Sequence, residues 1–197
     1  MAAPAQPALE IKVHRHGWEE QYSDRGTGAR QDLTTWRAKD PLDPNHFRVS
    51  HTATNSRHPP CAEPLVVTPL SDGCLAQPLY CECVWTDERT KGSRDGQLWR
   101  PVPPPGYVAL SDMGVHMDNR GISPGTRKPA HEIDPWFRCV KDTLVAPTGR
   151  TAKLWTDAGS RGKYDGGVWM IADSDGFAAG SGKTYEGGVR HQEYKLI

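Results

Sequence analysis

Six aspartates stand in glycine-rich stretches at a repeated spacing, and carboxylates in that setting can bind a ligand. They form three pairs, each with an eight-residue separation: Asp24 and Asp32, Asp87 and Asp95, and Asp157 and Asp165. Carboxylates on ordered loops accept hydrogen bonds from sugar hydroxyls, or bind Ca²⁺ together with backbone carbonyls. The same residues can instead begin turns, because an Asp side chain accepts backbone N–H bonds two residues on. The sequence leaves both roles open.

The aspartates belong to a fifteen-residue pattern that occurs three times. An aromatic residue is followed two positions on by Asp, ten positions on by a second Asp, and fourteen positions on by Trp. The copies begin and end at Tyr22 and Trp36, at Trp85 and Trp99, and at Trp155 and Trp169. Their first residues are 63 and 70 positions apart. Four identities at one spacing predict a single structural unit used three times.

Each copy predicts a β-hairpin with a long, ordered loop. In the third copy, Ala152–Trp155 and Val168–Ile171 are short runs rich in apolar, β-branched or aromatic residues, and the segment between them is rich in Gly, Asp and Ser. The first and third copies share an Asp-x-Gly-[Ser/Thr] turn, in which Gly supplies a positive φ. The second copy keeps the hydroxyl at Thr90 but has Arg89 in place of the glycine.

The remaining segments of each copy add strands to the hairpin. A Pro/Gly turn follows, and after it an aromatic residue (Phe47, Tyr107 or Phe177) begins a further strand. With a lead-in strand, each copy supplies about four strands. A four-stranded sheet buries only one face, so three of them must pack together. The predicted fold is all-β: a pseudo-threefold β-prism-like assembly of three four-stranded antiparallel sheets built from three sequence repeats.

The chain is expected to form one domain. Residues 1–9 are predicted to be a disordered tail, and residues 10–197 a single β-prism-like domain. The repeats cover approximately residues 10–60, 61–125 and 126–182, and residues 183–197 provide a closing strand. That strand is expected to pair with Ile11–Val13 and so to complete the first sheet.

Six aromatic residues belong to the repeat pattern, and two further tryptophans lie outside it. The six aromatics of the repeat pattern could stack on sugar rings, but aromatics at alternate strand positions more often pack in a core, and burial of most of them is predicted. Trp18 and Trp136 lie outside the pattern. Those two are therefore the tryptophans expected at the surface, where they join the six aspartates as candidate ligand-binding residues.

Composition restricts the partners. The 24 basic and 24 acidic residues balance, which predicts no general attraction to nucleic acid. No apolar run is long enough to span a membrane. The first ten residues lack the features of a secretory signal peptide, so the chain is expected to be cytoplasmic, or to be released without one. The five cysteines lack zinc-site spacing and are interpreted mainly as reduced thiols, with a disulfide among Cys61, Cys74 and Cys81 as the alternative.

Motifs for catalysis or cofactor binding are weak. Gly182-Lys183-Thr184 resembles the end of a phosphate loop, but the first glycine of that motif would fall on Phe177 and no helix pattern follows. The histidines show no known zinc-ligand spacing. No G-x-S-x-G motif is present. No cofactor is predicted, with Ca²⁺ as the single ion that the loops suggest, and no catalytic residue is assigned.

One segment resembles a known family. Leu98–Leu110 is similar to the "WRP-x-PP-x-GY-x-alG" signature of the vacuolar protein sorting protein 62-like (Vps62-like) family, which is shared with the adaptor-binding repeats of the large vacuolar sorting lipid-transfer proteins. Tyr22–Trp36 and Trp155–Trp169 resemble its "W-x-D-x-GSG-x(4)-D-x-x-x-W" element, and Arg138–Val145 its "rCVr-dlv" strand. Ser111 stands where the family usually has Gly. The resemblance covers roughly residues 12–182 and implies a β-prism-like domain without an established catalytic set.

Three functions are consistent with these features. The first is a non-catalytic, lectin-like module that binds carbohydrate or a glycoconjugate through its Asp/Gly-rich loops. The second is an adaptor that targets a protein or a membrane and accepts a peptide strand on a groove or sheet edge. The third is an enzyme whose site lies in the divergent first repeat, near His46 and His51. The binding module is preferred.

Overall fold

The computed structural model describes residues 7–40, 42–148, 150–181 and 194–197, and within these the protein is all-β. The helical segments are the short α1 (Ala130–Ile133) and a 3-10 turn at Asp142–Leu144. The strands in chain order are β1 (Leu9–Val13), β2 (Trp18–Ser23), β3 (Thr34–Ala38), β4 (Thr52–Thr54), β5 (Leu65–Pro69), β6 (Leu75–Ala76), β7 (Tyr80–Thr86), β8 (Gln97–Val102), β9 (Tyr107–Val108), β10 (Met113–Val115), β11 (Arg127–Lys128), β12 (Cys139–Lys141), β13 (Val145–Pro147), β14 (Arg150–Thr156), β15 (Gly166–Ile171), β16 (Phe177–Ser181) and β17 (Tyr194–Leu196).

Three antiparallel sheets are built on the three sequence repeats. The strand orders are β2-β3-β4, β10-β8-β7-β11 and β14-β15-β16. In each, the first two strands in chain order form the hairpin that the fifteen-residue pattern predicts. Smaller sheets pair β1 with β5, β13 with β17, and β12 with both β6 and β9.

The three hairpins share a β-bulge directly before the first aromatic residue. The strand register shifts between Glu20 and Tyr22, between Cys83 and Trp85, and between Lys153 and Trp155. A bulge bends its strand and re-aims the side chains beside it. All three of the aromatics that follow the shift are buried.

These aromatics meet in one hydrophobic cluster. The ring centroids of Tyr22 and Trp85 are 5.9 Å apart, and those of Trp85 and Trp155 are 5.3 Å apart. Leu33 and Phe177 belong to the same cluster and have no exposed surface. The tryptophan that ends each copy (Trp36, Trp99 or Trp169) is buried as well. The predicted burial of the repeat aromatics is therefore confirmed.

The strands after the Pro/Gly turns differ from the prediction in the first two copies. Phe47 forms only an isolated bridge to Val67, and Tyr107–Val108 pairs with β12 instead of with its own hairpin. The strand that joins each of these hairpins starts later, at Thr52 and at Met113. Two of the repeat sheets consequently have three strands and one has four.

The predicted pairing of the closing strand is wrong. Ile11 lies opposite Val67 of β5, whereas β17 pairs with β13, where Leu196 lies opposite Val145. Leu196 packs there against a hydrophobic cluster that includes Val145 and Leu144. Residues 1–6 of the predicted tail and most of 183–197 lie outside the described residues, and Leu9 already belongs to β1.

The cysteines are free thiols, of which Cys61 is exposed and the other four are buried. Burial raises the pKa values of Cys81 and Cys139 to about 12. No helix among the described residues is long and apolar enough to cross a membrane.

Gly96 is expected to be indispensable for the packing of the first two repeats. A Cβ atom at this position would overlap the ring of Tyr22, which is itself buried. We expect Gly96→Ala to lower the free energy of unfolding by about 3 kcal/mol, the upper end of the range for overpacking. Chemical denaturation measures it.

Gly106→Ala is the control for this change. Gly106 has a φ of +80° and open space around it, so alanine there costs only the left-handed backbone conformation, about 1 kcal/mol. An equal loss of stability in both variants would show that the contact with Tyr22 is not the cause.

Candidate functional site

The three hairpin loops, which we call the first (residues 24–33), second (87–96) and third (157–166) loop, share one hydrogen-bond scheme. In each, the hydroxyl residue donates its backbone N–H to the carbonyl oxygen of the first aspartate, at 2.9–3.0 Å. Its hydroxyl oxygen then accepts the N–H two residues on, at 3.1–3.2 Å. The three hydroxyl residues are Thr27, Thr90 and Ser160. Turn chemistry thus explains this part of the repeated pattern.

The first aspartate of each loop is buried. Asp24, Asp87 and Asp157 are 3–4 % exposed. The carboxylate of Asp24 accepts the N–H of Leu33 at 3.0 Å, and that of Asp87 accepts the N–H of Gly96 at 2.9 Å. These bonds close the first two loops at their far ends. The geometry therefore favours the turn role over the ligand role for these predicted binding residues.

The loops also bond to one another in a closed cycle. The three backbone bonds run from Ser93 N–H to Arg25 (3.1 Å), from Lys163 N–H to Glu88 (2.8 Å) and from Arg30 N–H to Ala158 (3.0 Å). Each bond joins equivalent positions of two successive copies. The three loops consequently form one cluster, which we call the loop cluster.

Indole N–H groups of the buried core tryptophans donate hydrogen bonds to the loop cluster. Trp155 of the third copy donates to the carboxylate of Asp24 at 2.9 Å and to the carbonyl of Gln31 at 3.1 Å. Trp85 of the second copy donates to the carbonyl of Tyr164 at 3.0 Å. The core aromatics therefore hold the loops of neighbouring copies in place.

Two of the buried carboxylates are incompletely satisfied. Asp157 Oδ1 has no hydrogen-bond partner among the described residues, and Asp87 Oδ2 and the hydroxyl of Tyr22 have none of good geometry there, although these two groups lie close enough to interact. Burial raises the pKa of Asp87 and of Asp157, against the opposing effect of hydrogen bonds. Burial, followed by the negative charges of Asp87 and Asp24, raises the pKa of Tyr22 well above its ordinary value.

The raised pKa of Asp87 gives a pH-dependent prediction. A carboxyl group with a higher pKa in the folded state contributes stability at low pH, and that contribution is lost as the pH rises from about 4 through the folded-state pKa. Asp87→Asn does not titrate, and its amide oxygen can keep the bonds from Gly96 and Asn119. We expect the stability of this variant relative to the parent to increase across that pH range, as measured by urea denaturation. A difference that stays constant or falls would contradict the prediction.

The second aspartate of each loop is exposed, and the three have different surroundings. Asp32 pairs with Arg57 at 2.6 Å, and Arg57 also bonds to Asp24. Asp95 accepts the backbone N–H of Asn119 at 3.1 Å. Asp165 is exposed at the end of the third loop. These three carboxylates are the predicted binding residues that a ligand could reach.

An open pocket of about 490 Å³ lies between the second and third loops. It is lined by Glu88, Arg89, Asp95, Asn119, Arg120, Gly121, Ile122, Ser123, Lys163 and Tyr164. We call it the loop pocket. Of the eight residues predicted to bind ligand, only Asp95 lines it.

Most polar groups of the loop pocket are fixed by contacts. Lys163 pairs with Glu88 at 2.9 Å, and its ammonium lies 4.9 Å from the ring centroid of Tyr164. Asn119 is buried and donates its amide to Asp87 at 2.5 Å. Asp95, which also lines the pocket, is exposed. The pocket therefore offers ordered donors and acceptors beside one aromatic ring.

Trp18 and Trp136 are half-buried and lie outside the loop pocket. The indole N–H of Trp18 donates to the carbonyl of Ala62 at 2.7 Å. Trp136 packs against a small hydrophobic cluster, 6.3 Å from the ring centroid of Phe47. Nothing brings these two tryptophans together with the aspartates.

Of the two histidines that marked the first repeat as a candidate catalytic region, His46 is half-buried and lies 3.3 Å from the exposed Asp43, whereas His51 is buried in an ion-pair network. His51 Nε2 lies 3.0 Å from Asp134, and Arg48 binds the same carboxylate with two bonds of 2.7 Å. Burial lowers the pKa of His51, and bonds to His51 and Arg48 lower that of Asp134 against the effect of burial. All three side chains are inaccessible to solvent, which makes the network a structural tie between the first repeat and residues 130–137.

Residues suited to metal binding do not assemble within the described part of the chain, where no three His, Cys, Asp or Glu side chains are arranged to hold an ion. The rings of His14 and His16 lie close to each other in a tilted arrangement, with centroids 5.1 Å apart. The phosphate-loop-like Gly182-Lys183-Thr184 lies outside the described residues.

A second surface feature is apolar. Ile11, Val13 and Leu65 of the sheet β1-β5 are 51 %, 57 % and 43 % exposed. Beside them lies a cavity of about 250 Å³, lined by Ile11, Leu65 and other residues that include Asp173 and Asp175. This face is the part of the structure that resembles a docking surface.

Sequence reasoning missed most of the loop pocket. Glu88, Arg120, Lys163 and Tyr164 carry no motif and become neighbours only when the second and third loops pack together. One signal was present, however. Arg89 occupies a position where the other two copies have glycine, and this residue lines the pocket.

The comparisons with known proteins bear on the fold. No family model and no curated protein matches the chain. The crystal structure of GNIP1Aa from Chromobacterium piscinae is similar, with a TM-score of 0.69 and 23 % identity, over 87 % of this chain and 32 % of that one. The chain thus spans about a third of the length of that protein. At this identity the likeness shows an all-β fold and nothing about activity.

Proposed function

We propose that the protein is a non-catalytic, lectin-like module that binds carbohydrate or a glycoconjugate at the loop pocket. The observation that carries the proposal is this open, polar pocket, whose lining includes both an exposed carboxylate (Asp95) and an aromatic residue (Tyr164). Its volume of about 490 Å³ is within the usual range for small-molecule sites.

The chemistry of the lining suits a sugar. Carboxylate and amide groups bond to hydroxyls, and a half-exposed tyrosine ring packs against the apolar face of a pyranose. The groups are held by a rigid base, since the loops bond to each other through their backbones. A preordered site loses less entropy on binding than a flexible one.

We further propose that the three repeats form a pseudo-threefold β-prism-like assembly. Three features support it: equivalent hairpins with equivalent bulges, the cyclic loop-to-loop bonds, and the contact of the first aromatics in one cluster. On this arrangement three loop junctions are related by the pseudo-symmetry, and the one between the second and third loops is the binding site. The resemblance to the Vps62-like family, which implies such a fold, is part of the same proposal.

The binding role of the loop pocket is tested with Asp95→Ala and the matched Asp165→Ala in the third loop. Both aspartates are exposed and have the same place in the repeat, but only Asp95 lines the pocket. We expect Asp95→Ala to weaken sugar binding at least about tenfold, the effect of losing a hydrogen bond to a charged group. Asp165→Ala should bind like the parent.

The measurement is a glycan array followed by calorimetry with the best-bound sugar, each with and without Ca²⁺. No binding to any glycan under either condition would overturn the proposed function. Equal losses in both variants would show that binding is not confined to the loop pocket.

The second candidate function is an adaptor that accepts an extended peptide. It is favoured by the exposed apolar side chains of the β1-β5 sheet, where Ile11 borders the cavity. A peptide strand could add to a sheet edge while its side chains enter that cavity.

For this alternative we expect Ile11→Glu to abolish capture of a partner from lysate, with free sugar failing to compete. Leu79→Glu is the control, because Leu79 is 60 % exposed and lies outside the cavity. Capture that survives Ile11→Glu, or that free sugar removes, would contradict the adaptor function.

A further inference from the structure

The charges of the loop pocket are unevenly satisfied. Three cationic residues line it, and two of them have acidic partners: Lys163 pairs with Glu88 at 2.9 Å and Arg120 pairs with Asp118 at 2.6 Å. Arg89, which is exposed, has no hydrogen-bond or ion-pair partner in the described part of the chain. Among the described residues, Arg89 is thus the cation of the loop pocket whose charge no acidic side chain offsets.

The backbone at Arg89 is unusual for an arginine. Its φ is +68°, in the left-handed region that favours glycine, and the equivalent residues of the other loops are Gly26 (φ +83°) and Gly159 (φ +100°). An L side chain in this conformation lowers stability. Within the described residues no hydrogen bond or ion pair of the Arg89 side chain offsets that loss, and what distinguishes it from Arg161, also at positive φ, is its place in the loop pocket.

We propose that Arg89 selects saccharides bearing an anionic group, either a carboxylate or a sulfate. This inference rests on the proposed function and names its ligand class. A guanidinium presents two parallel N–H donors that match the oxygens of a carboxylate or sulfate. Asp95, which lines the same pocket, accepts hydrogen bonds from the hydroxyls of the rest of the sugar. Because its carboxylate is negatively charged, it disfavours ligands that carry several anionic groups.

The location of Arg89 strengthens the assignment. It adjoins Glu88, whose carbonyl oxygen receives the loop-to-loop bond from Lys163 and whose carboxylate pairs with the Lys163 side chain. The backbone that carries the guanidinium is therefore fixed at the junction of the two loops. From this fixed backbone, the planar guanidinium can offer two N–H donors to one anion, which the ammonium of a lysine cannot match.

The test compares Arg89→Gly with Arg161→Gly. Arg161 is also an exposed arginine at positive φ (+60°), but it lies in the third loop outside the pocket. Both changes put glycine where the backbone favours it, so neither variant should lose thermal stability. The folded state accepts glycine at position 89, since glycine stands at the equivalent positions of the other two loops.

Binding is measured on a glycan array with neutral, carboxylate-bearing and sulfated members, and then by calorimetry on the strongest ligand. We expect the parent to prefer anionic members. Arg89→Gly should weaken that binding at least about tenfold, with Arg161→Gly unchanged. Arg89→Lys should recover part of the affinity, because it restores the charge without the fork. Comparison of the carboxylate-bearing with the sulfated members identifies which anionic group the protein prefers.

The outcomes separate the two proposals. A parent that prefers neutral sugars, or an Arg89→Gly variant that binds anionic sugars as the parent does, would overturn this inference and leave carbohydrate binding in place. Binding to no member of the array would overturn both.

Discussion

The structure depends on satisfying the backbone of three long loops that pack against each other. The N–H groups that face protein in such a loop must bond internally, because they have lost water as a partner. The first aspartate of each repeat starts the turn, a threonine or serine continues it, and a neighbouring loop supplies the next acceptor. The carboxylates of Asp87 and Asp157 are buried in the process, at an electrostatic cost that their raised pKa values record. The repeated aspartates are therefore primarily part of the scaffold.

The three loops carry different side chains at their surface, although their backbones are equivalent. Arg57 bridges the two aspartates of the first loop, whereas Asn119 bridges those of the second. The smaller asparagine stands beside an open pocket that also receives Lys163 and Tyr164 from the third loop. Equivalent backbones thus carry different side chains, and only such differences can give one loop junction a ligand preference of its own.

The network of Arg48, His51 and Asp134 is also specific to its place in the chain, but it is buried and does not add to the surface. These groups are candidates for chemistry by residue type, yet they are enclosed and bonded to each other. Breaking one partner of such a network would leave an uncompensated charge in the interior. Residue type suggested a catalytic region here, and burial assigns the residues to the scaffold.

The sequence by itself determined the all-β class, the three hairpins and the burial of the repeat aromatics, because these follow from local spacing and strand period. It did not determine which strands pair across the molecule: β1 pairs with β5 and β17 with β13, since the edges available depend on how all the sheets pack. Nor could it locate the loop pocket, whose residues are far apart in the chain. Glu88 and Lys163 become neighbours only through the bond between two folded loops, and that contact is a property of the tertiary structure alone.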